Sequence, residues 1–191
     1  LSKRAELMDA ACKATKGGMA SVLGGDAVVI AEVAKECGID VANYNSPGQI
    51  VISGEAEKVD AAVAMLKEKG MRKIVPLTVA GAFHSRLMAS AGEGLAQALA
   101  DAAIELPEFP VYHNFTGAPA GSVAELKDAL KNQVAGSVHW YQSVEKMVES
   151  GADAMIEFGP GNVLTGLLRR TCKDVPGYNI NSWESLNNFN N

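Results

Sequence analysis

With 191 residues, of which 48% are hydrophobic, 20% charged and 6% aromatic, the chain has the make-up of an ordinary globular protein and excludes disordered and fibrous classes. Seventeen Lys and Arg against 22 Asp and Glu leave a net charge of -5 with no basic run, which argues against nucleic acid or an anionic membrane as partner. Three scattered cysteines, Cys12, Cys37 and Cys172, fit neither a disulfide scaffold nor a zinc site, so a reducing, cytoplasmic setting without a structural metal is expected. No apolar stretch reaches the ~18 residues that a membrane span needs. The chain opens on Leu1-Ser2-Lys3-Arg4, neither an initiator methionine nor a signal peptide, and is expected to lack its own beginning.

From Gly18 to Pro76, short β-rich runs alternate with helical ones. Met19 to Leu23 reads as a strand, and Asp26 as the N-cap of a helix with Ile30, Val33, Ala34 and Cys37 on its apolar face, stopped by Gly38. Ile39 to Asn45 and Gln49 to Ser53 form a hairpin through Ser46-Pro47-Gly48, a pattern that suits a type II turn. Glu55 to Lys69 carries Val59, Ala62, Val63 and Leu66 on one face, with acidic residues at its start and lysines at its end, and Gly70 follows as its C′ residue. A strand from Arg72 to Val75 completes β-α-β-β-α-β, the ferredoxin-like order.

Beyond it, Leu77 to Val79 is predicted to continue as a strand, followed by a long helix from Ser85 to Ala103 and a short strand from Val111 to Asn114. Val123 to Val134 and Tyr141 to Ser150 are amphipathic helices. Ala154 to Phe158 reads as a buried strand, and Asn162 to Thr171 as the helix after Gly159-Pro160-Gly161. Strands alternating with helices predict a partial open parallel α/β sheet into which the ferredoxin-like unit is inserted. Three segments result: a helix over 1–17, a small subdomain over 18–76, and the remainder of the large subdomain over 77–191. The tail after Pro176, ending Asn187-Asn188-Phe189-Asn190-Asn191, shows no periodicity and is expected to fray.

His84 follows a predicted strand through Ala80-Gly81-Ala82 and precedes a helix, which is where open α/β sheets bind ligands. From position alone it is either a general base, its ordinary pKa near 6.5 suiting that task, or a loop histidine bonded to its neighbours. His113 and His139 carry no feature that separates them from structural histidines. The Gly159-Pro160-Gly161-Asn162 turn either offers amides to an anion or is a tight turn with Asn162 near the cap. Arg4, Met8 and Cys12 recur at helical spacing, where an arginine is ordinarily a solvated surface residue. No serine has glycines two positions away on both sides, so a nucleophile elbow is absent from these residues.

The order and spacing of Lys3-Arg4-Ala5-Glu6-Leu7-Met8, Asn43-Tyr44-Asn45-Ser46-Pro47-Gly48-Gln49, Gly81-Ala82-Phe83-His84-Ser85-Arg86-Leu87-Met88, Val138-His139-Trp140 and Glu157-Phe158-Gly159-Pro160-Gly161-Asn162 resemble the carboxyl-terminal larger part of malonyl-CoA:acyl carrier protein transacylases. The resemblance runs the whole chain and implies a hydrolase-like acyltransferase core. It implies ping-pong transfer of malonyl from malonyl-CoA to a serine and then to the phosphopantetheine thiol of acyl carrier protein, with no cofactor of the enzyme's own. It implies His84 as the catalytic base, Gln133 as the residue whose backbone carbonyl holds the imidazole, and Arg4 as the grip on the malonyl carboxylate. Phe83 matches the position that selects malonyl over methylmalonyl, although Gly81 stands where polyketide relatives often have histidine. Asn45 borders the cleft, and Met8 is carried over beside Arg4 as a substrate-binding position. The family's serine elbow and Gly-Gln-Gly segment are absent, so these 191 residues alone are expected to be inactive and to need the missing amino-terminal segment. Two alternatives stand beside this: an acyltransferase domain of a polyketide or multi-enzyme synthase, and a non-catalytic acyl-carrier-binding module.

Overall fold

The computed structural model describes residues 1–189. The helix α1 (Ser2–Ala14) is followed by β1 (Gly17–Leu23), α2 (Ala27–Glu36), β2 (Asp40–Ser46), β3 (Gln49–Glu55), α3 (Ala56–Glu68) and β4 (Lys73–Pro76). The four strands form one antiparallel sheet in the order β2-β3-β1-β4. Asp26 caps α2 as its sequence predicts, its carboxylate accepting from Val28 N at 2.7 Å. Gly70 takes φ 89° beyond α3, the left-handed turn that only glycine adopts freely.

Side chains of a strand alternate between faces, and here the two faces do different work. Ala20, Val22, Ile50 and Ile52 point to one side, where Ile30, Val33, Val59 and Leu66 of the two helices close over them. Each such side chain contributes roughly 1.5–3 kcal/mol when fully buried. Met19, Ala42 and Val51 point to the other side and pack on Phe83, the residue before His84. The ferredoxin-like sheet therefore serves as the floor on which the histidine turn rests.

The rest of the described chain comprises a 3₁₀ turn (Arg86–Met88), α4 (Ala89–Ala100), β5 (Tyr112–His113), β6 (Ala118–Pro119), α5 (Val123–Asn132), α6 (Trp140–Glu149), β7 (Met155–Phe158), α7 (Val163–Thr171), β8 (Gly177–Ile180) and α8 (Trp183–Phe189). Met8, Ala11 and Cys12 of α1 share a core with Met88, Ala91, Leu95 and Val134. The architecture is mixed α/β with partial open sheets, and β7-α7-β8 is a parallel βαβ unit.

Several local expectations are corrected. Leu77 to Val79 is not a strand: Leu77 N reaches Met19 O at 2.9 Å, and the ladder stops there. Val111 to Asn114 shrinks to the two residues of β5, which form an antiparallel hairpin with β6 rather than joining a parallel sheet. The strand before Gly159 is not buried, since Phe158 is 72% exposed. The long helix starts as a 3₁₀ turn and ends at Ala100, because the Ser85 hydroxyl caps Leu87 N and tightens the first turn. Gly48 does not adopt positive φ, so the hairpin stands but its turn is not type II. The segment after Pro176 forms β8, aligned with β7, and α8, whose start is held by the Ser182 hydroxyl accepting from Ser185 N at 3.1 Å. Of the polar run at the end, Asn190 and Asn191 lie outside the described residues.

Candidate active site

The turn carrying His84 is closed by its own residues. Ser85 Oγ donates to Ala82 O at 2.7 Å and is fully buried. His84 takes φ 55°, the single non-glycine residue in the left-handed region among those described, a conformation that a histidine holds only when its surroundings enforce it. Gly81 and Ala82 are buried beneath it, and a Cβ on Gly81 would collide with Cys12 of α1, so the small residues before the histidine are a packing requirement.

His84 Nδ1 lies 3.0 Å from the backbone carbonyl of Gln133, just past the end of α5. A carbonyl can only accept, so Nδ1 carries the hydrogen and the neutral ring presents its lone pair at Nε2. The Gln133 side-chain Nε2, 3.4 Å from the same nitrogen, turns to Gly136 O at 3.4 Å. Burial pushes the His84 pKa down; the Gln133 carbonyl opposes this, and the Arg4 charge adds to the lowering. Burial thus favours the uncharged ring.

A hollow of about 1290 Å³ opens in front of His84, and Asn45, Trp140 and Asn162 also line it. The structure thus brings His84 and Asn45 to one cavity, with Gln133 directly behind the imidazole. Arg4 is half-buried on α1 and within electrostatic reach of His84, but it is not among the residues lining this hollow. Phe83 is wedged between the two cores, and Met8 is a buried member of the α1–α4 cluster.

The turn at Gly159 also lines the hollow, but its helix end holds no vacancy for an external anion. Glu157 of β7 receives Leu164 N at 3.0 Å, Thr165 N at 2.9 Å and the Thr165 hydroxyl at 2.7 Å, and these bonds hold its carboxyl below the usual range. Asn162 occupies the cap position without a side-chain bond. His139 stacks on Tyr44 at 5.2 Å with the rings 9° apart, a packing role. Asn43, Gln49, Arg169 and Arg170 also face the hollow, and the two arginines carry no signal in the sequence that places them there. Arg170 Nη1 donates to Gln49 Oε1 at 2.8 Å across 121 positions of sequence, a pairing for which no local pattern exists.

A half-buried imidazole on a small-residue turn faces a cleft in a mixed α/β frame, an arrangement that suits a general base. Residues 3–186 match the acyl transferase domain model, and the chain belongs to that family. It is 38% identical over 189 residues to the malonyl CoA-acyl carrier protein transacylase of Bacillus subtilis, covering 96% of this chain and 60% of that protein. It is 40% identical over 180 residues to the polyketide biosynthesis protein ThaF of Burkholderia thailandensis, covering 93% of this chain and 15% of that one. Its fold is similar to a crystal structure of the malonyl-CoA:acyl carrier protein transacylase of Xanthomonas oryzae, with a TM-score of 0.93 and 36% identity over 98% of this chain and 61% of the other. A malonyl-transacylase solved in complex with a type II polyketide acyl-carrier protein matches with a TM-score of 0.92 and 34% identity, over 98% of this chain and 62% of the other. The chain thus spans about 60% of the length of the curated malonyl transacylases it matches.

Proposed function

We propose that these residues form the histidine-bearing part of a malonyl-CoA:acyl carrier protein transacylase of cytoplasmic fatty acid synthesis. The observation that carries the reading is the 3.0 Å bond from His84 Nδ1 to the Gln133 carbonyl, which puts the neutral ring's lone pair on Nε2, and the same ring lines the hollow. A ring so held can take the proton of an attacking hydroxyl, return it to the departing coenzyme A thiolate, and then take the proton of the carrier protein's phosphopantetheine thiol and pass it to the departing hydroxyl oxygen as the acyl ester breaks. The atoms balance without a cofactor, because one thioester is exchanged for another through an acyl ester.

Arg4 is proposed to pair with the malonyl carboxylate, since a guanidinium offers a fork to two carboxylate oxygens and an acetyl donor would leave it unpaired. Phe83, fixed between two cores, is proposed to crowd an α-methyl branch, and Asn45 to line the donor's path. Met8 supports α1 from within the core, so its proposed influence on substrate passes through the position of Arg4. Residues 18–76 are proposed as the small subdomain, and 1–17 with 77–191 as parts of the large one. No glycine-flanked serine occurs in the 191 residues, so the nucleophile is proposed to come from a segment outside them, without which they do not transfer malonyl. Val163 and Phe158, 69% and 72% exposed near the Gly159 turn, suit a surface that such a segment would cover.

The experiment is malonyl transfer to acyl carrier protein by the chain joined to its serine segment. His84→Ala is expected to lose about 10²–10⁴-fold in rate, the range for a general base. Undiminished transfer by that variant overturns the reading. The match to ThaF favours a second reading, an acyltransferase acting in polyketide synthesis. Comparing carrier proteins of the two pathways as acceptors separates them.

A further inference from the structure

We infer that Asp40, acting through Arg86, is a positioning residue for the His84 imidazole, so that the ferredoxin-like sheet sets the orientation of a base carried by the other part of the molecule. This rests on the reading of His84 as the base. Arg86 stands two residues after His84, at the start of the 3₁₀ turn, and Asp40 is the first residue of β2. The Asp40 carboxylate accepts the Arg86 backbone N–H at 2.8 Å, Nε at 3.0 Å and Nη2 at 2.7 Å, while Nη2 also reaches Ile39 O at 3.3 Å. Burial pushes the Asp40 carboxyl up, but the Arg86 hydrogen bonds and charge outweigh it and hold the group below its ordinary value.

Exposed ion pairs are ordinarily weak, yet this one differs in geometry. A carboxylate that receives a guanidinium fork and a main-chain N–H together fixes the backbone as well as the side chain. That matters here because His84 sits at φ 55°, a conformation that relaxes unless both flanks are held. The Ser85 hydroxyl bonds lie within the turn and fix its shape. Phe83 rests on the sheet through apolar contact, which sets distance better than angle. The Asp40 fork supplies a directional tie between turn and sheet. Without it, residue 84 can relax toward negative φ and swing Nδ1 out of reach of the Gln133 carbonyl.

The test is ¹⁵N-histidine NMR of the chain joined to its serine segment, with the His84 signals assigned by His84→Gln. Wild type is expected to hold His84 in the Nδ1–H tautomer. Asp40→Ala and Arg86→Met are expected to move it toward the solution mixture. Two controls are expected to leave it unmoved: Lys58→Ala, which breaks another exposed ion pair, and Val59→Ala, which lowers Tm from within the core. Should Asp40→Ala fail to fold, Arg86→Met decides alone, since Asp40 can still accept the main-chain N–H in that variant. A wild-type tautomer in the folded variants overturns the inference. Retained transfer by His84→Ala would instead sink the function reading and leave the effect on the ring standing.

Discussion

His84, the proposed base, has its pKa held below the ordinary value by its surroundings, chiefly burial, with the Arg4 charge adding to the effect. In the completed enzyme the acid limb of the rate profile is therefore expected below the ordinary histidine value of about 6.5. The same shift sets a stability trend with a definite sign. As pH falls through about 6.5 the unfolded chain takes up the proton first, so this contribution is complete above that pH and declines as pH approaches the lower folded value. Arg4→Ala removes one of the lowering influences, so His84 should titrate at higher pH in that variant. An NMR titration of the imidazole checks this, and an unchanged midpoint would show that the guanidinium does not act on the ring.

At the scale of elements, β1 and the His84 turn are in close contact. A Cβ on Gly17, the first residue of β1, would fall on the backbone nitrogen of Ala82, which cannot yield as a flexible side chain would. Gly17→Ala should accordingly cost about 1–3 kcal/mol, as overpacking does, and shift the His84 NMR signals. Urea denaturation and a histidine spectrum read the two effects. Much of this architecture was legible in the sequence, because Asp26, Gly38 and Gly70 are local signals and the apolar periods of the two helices are strong. Leu77 to Val79 misled because an apolar run reads the same whether or not a neighbouring strand is present to pair with it. The β8–α8 segment leaves a weaker trace: Ser182 and Glu184 stand where a helix start wants them, but the polar run after them carries no apolar period. His84 could be placed by its turn and Gln133 by resemblance. The Asp40–Arg86 and Gln49–Arg170 pairings join distant positions and leave no periodic trace.

Across the whole molecule, the four-stranded sheet does not end at β2. Val138 N donates to Ala42 O at 2.7 Å and Tyr44 N to Val138 O at 2.8 Å, with Ser137 Oγ on Val41 O as a third link. Tyr44 and His139 stack over the same join. Thermal unfolding followed by near-UV and far-UV circular dichroism is therefore expected to give coincident transitions, since neither part can melt without breaking main-chain bonds of the other. Separate transitions would show that the join carries little energy. The seam also bears on traffic through the cavity. Walls stitched together at their base resist parting like a clam shell, so the proposed thioester donor is expected to thread in through the mouth and back out the same way, its exchange paced by the fit of the passage rather than by a clasp.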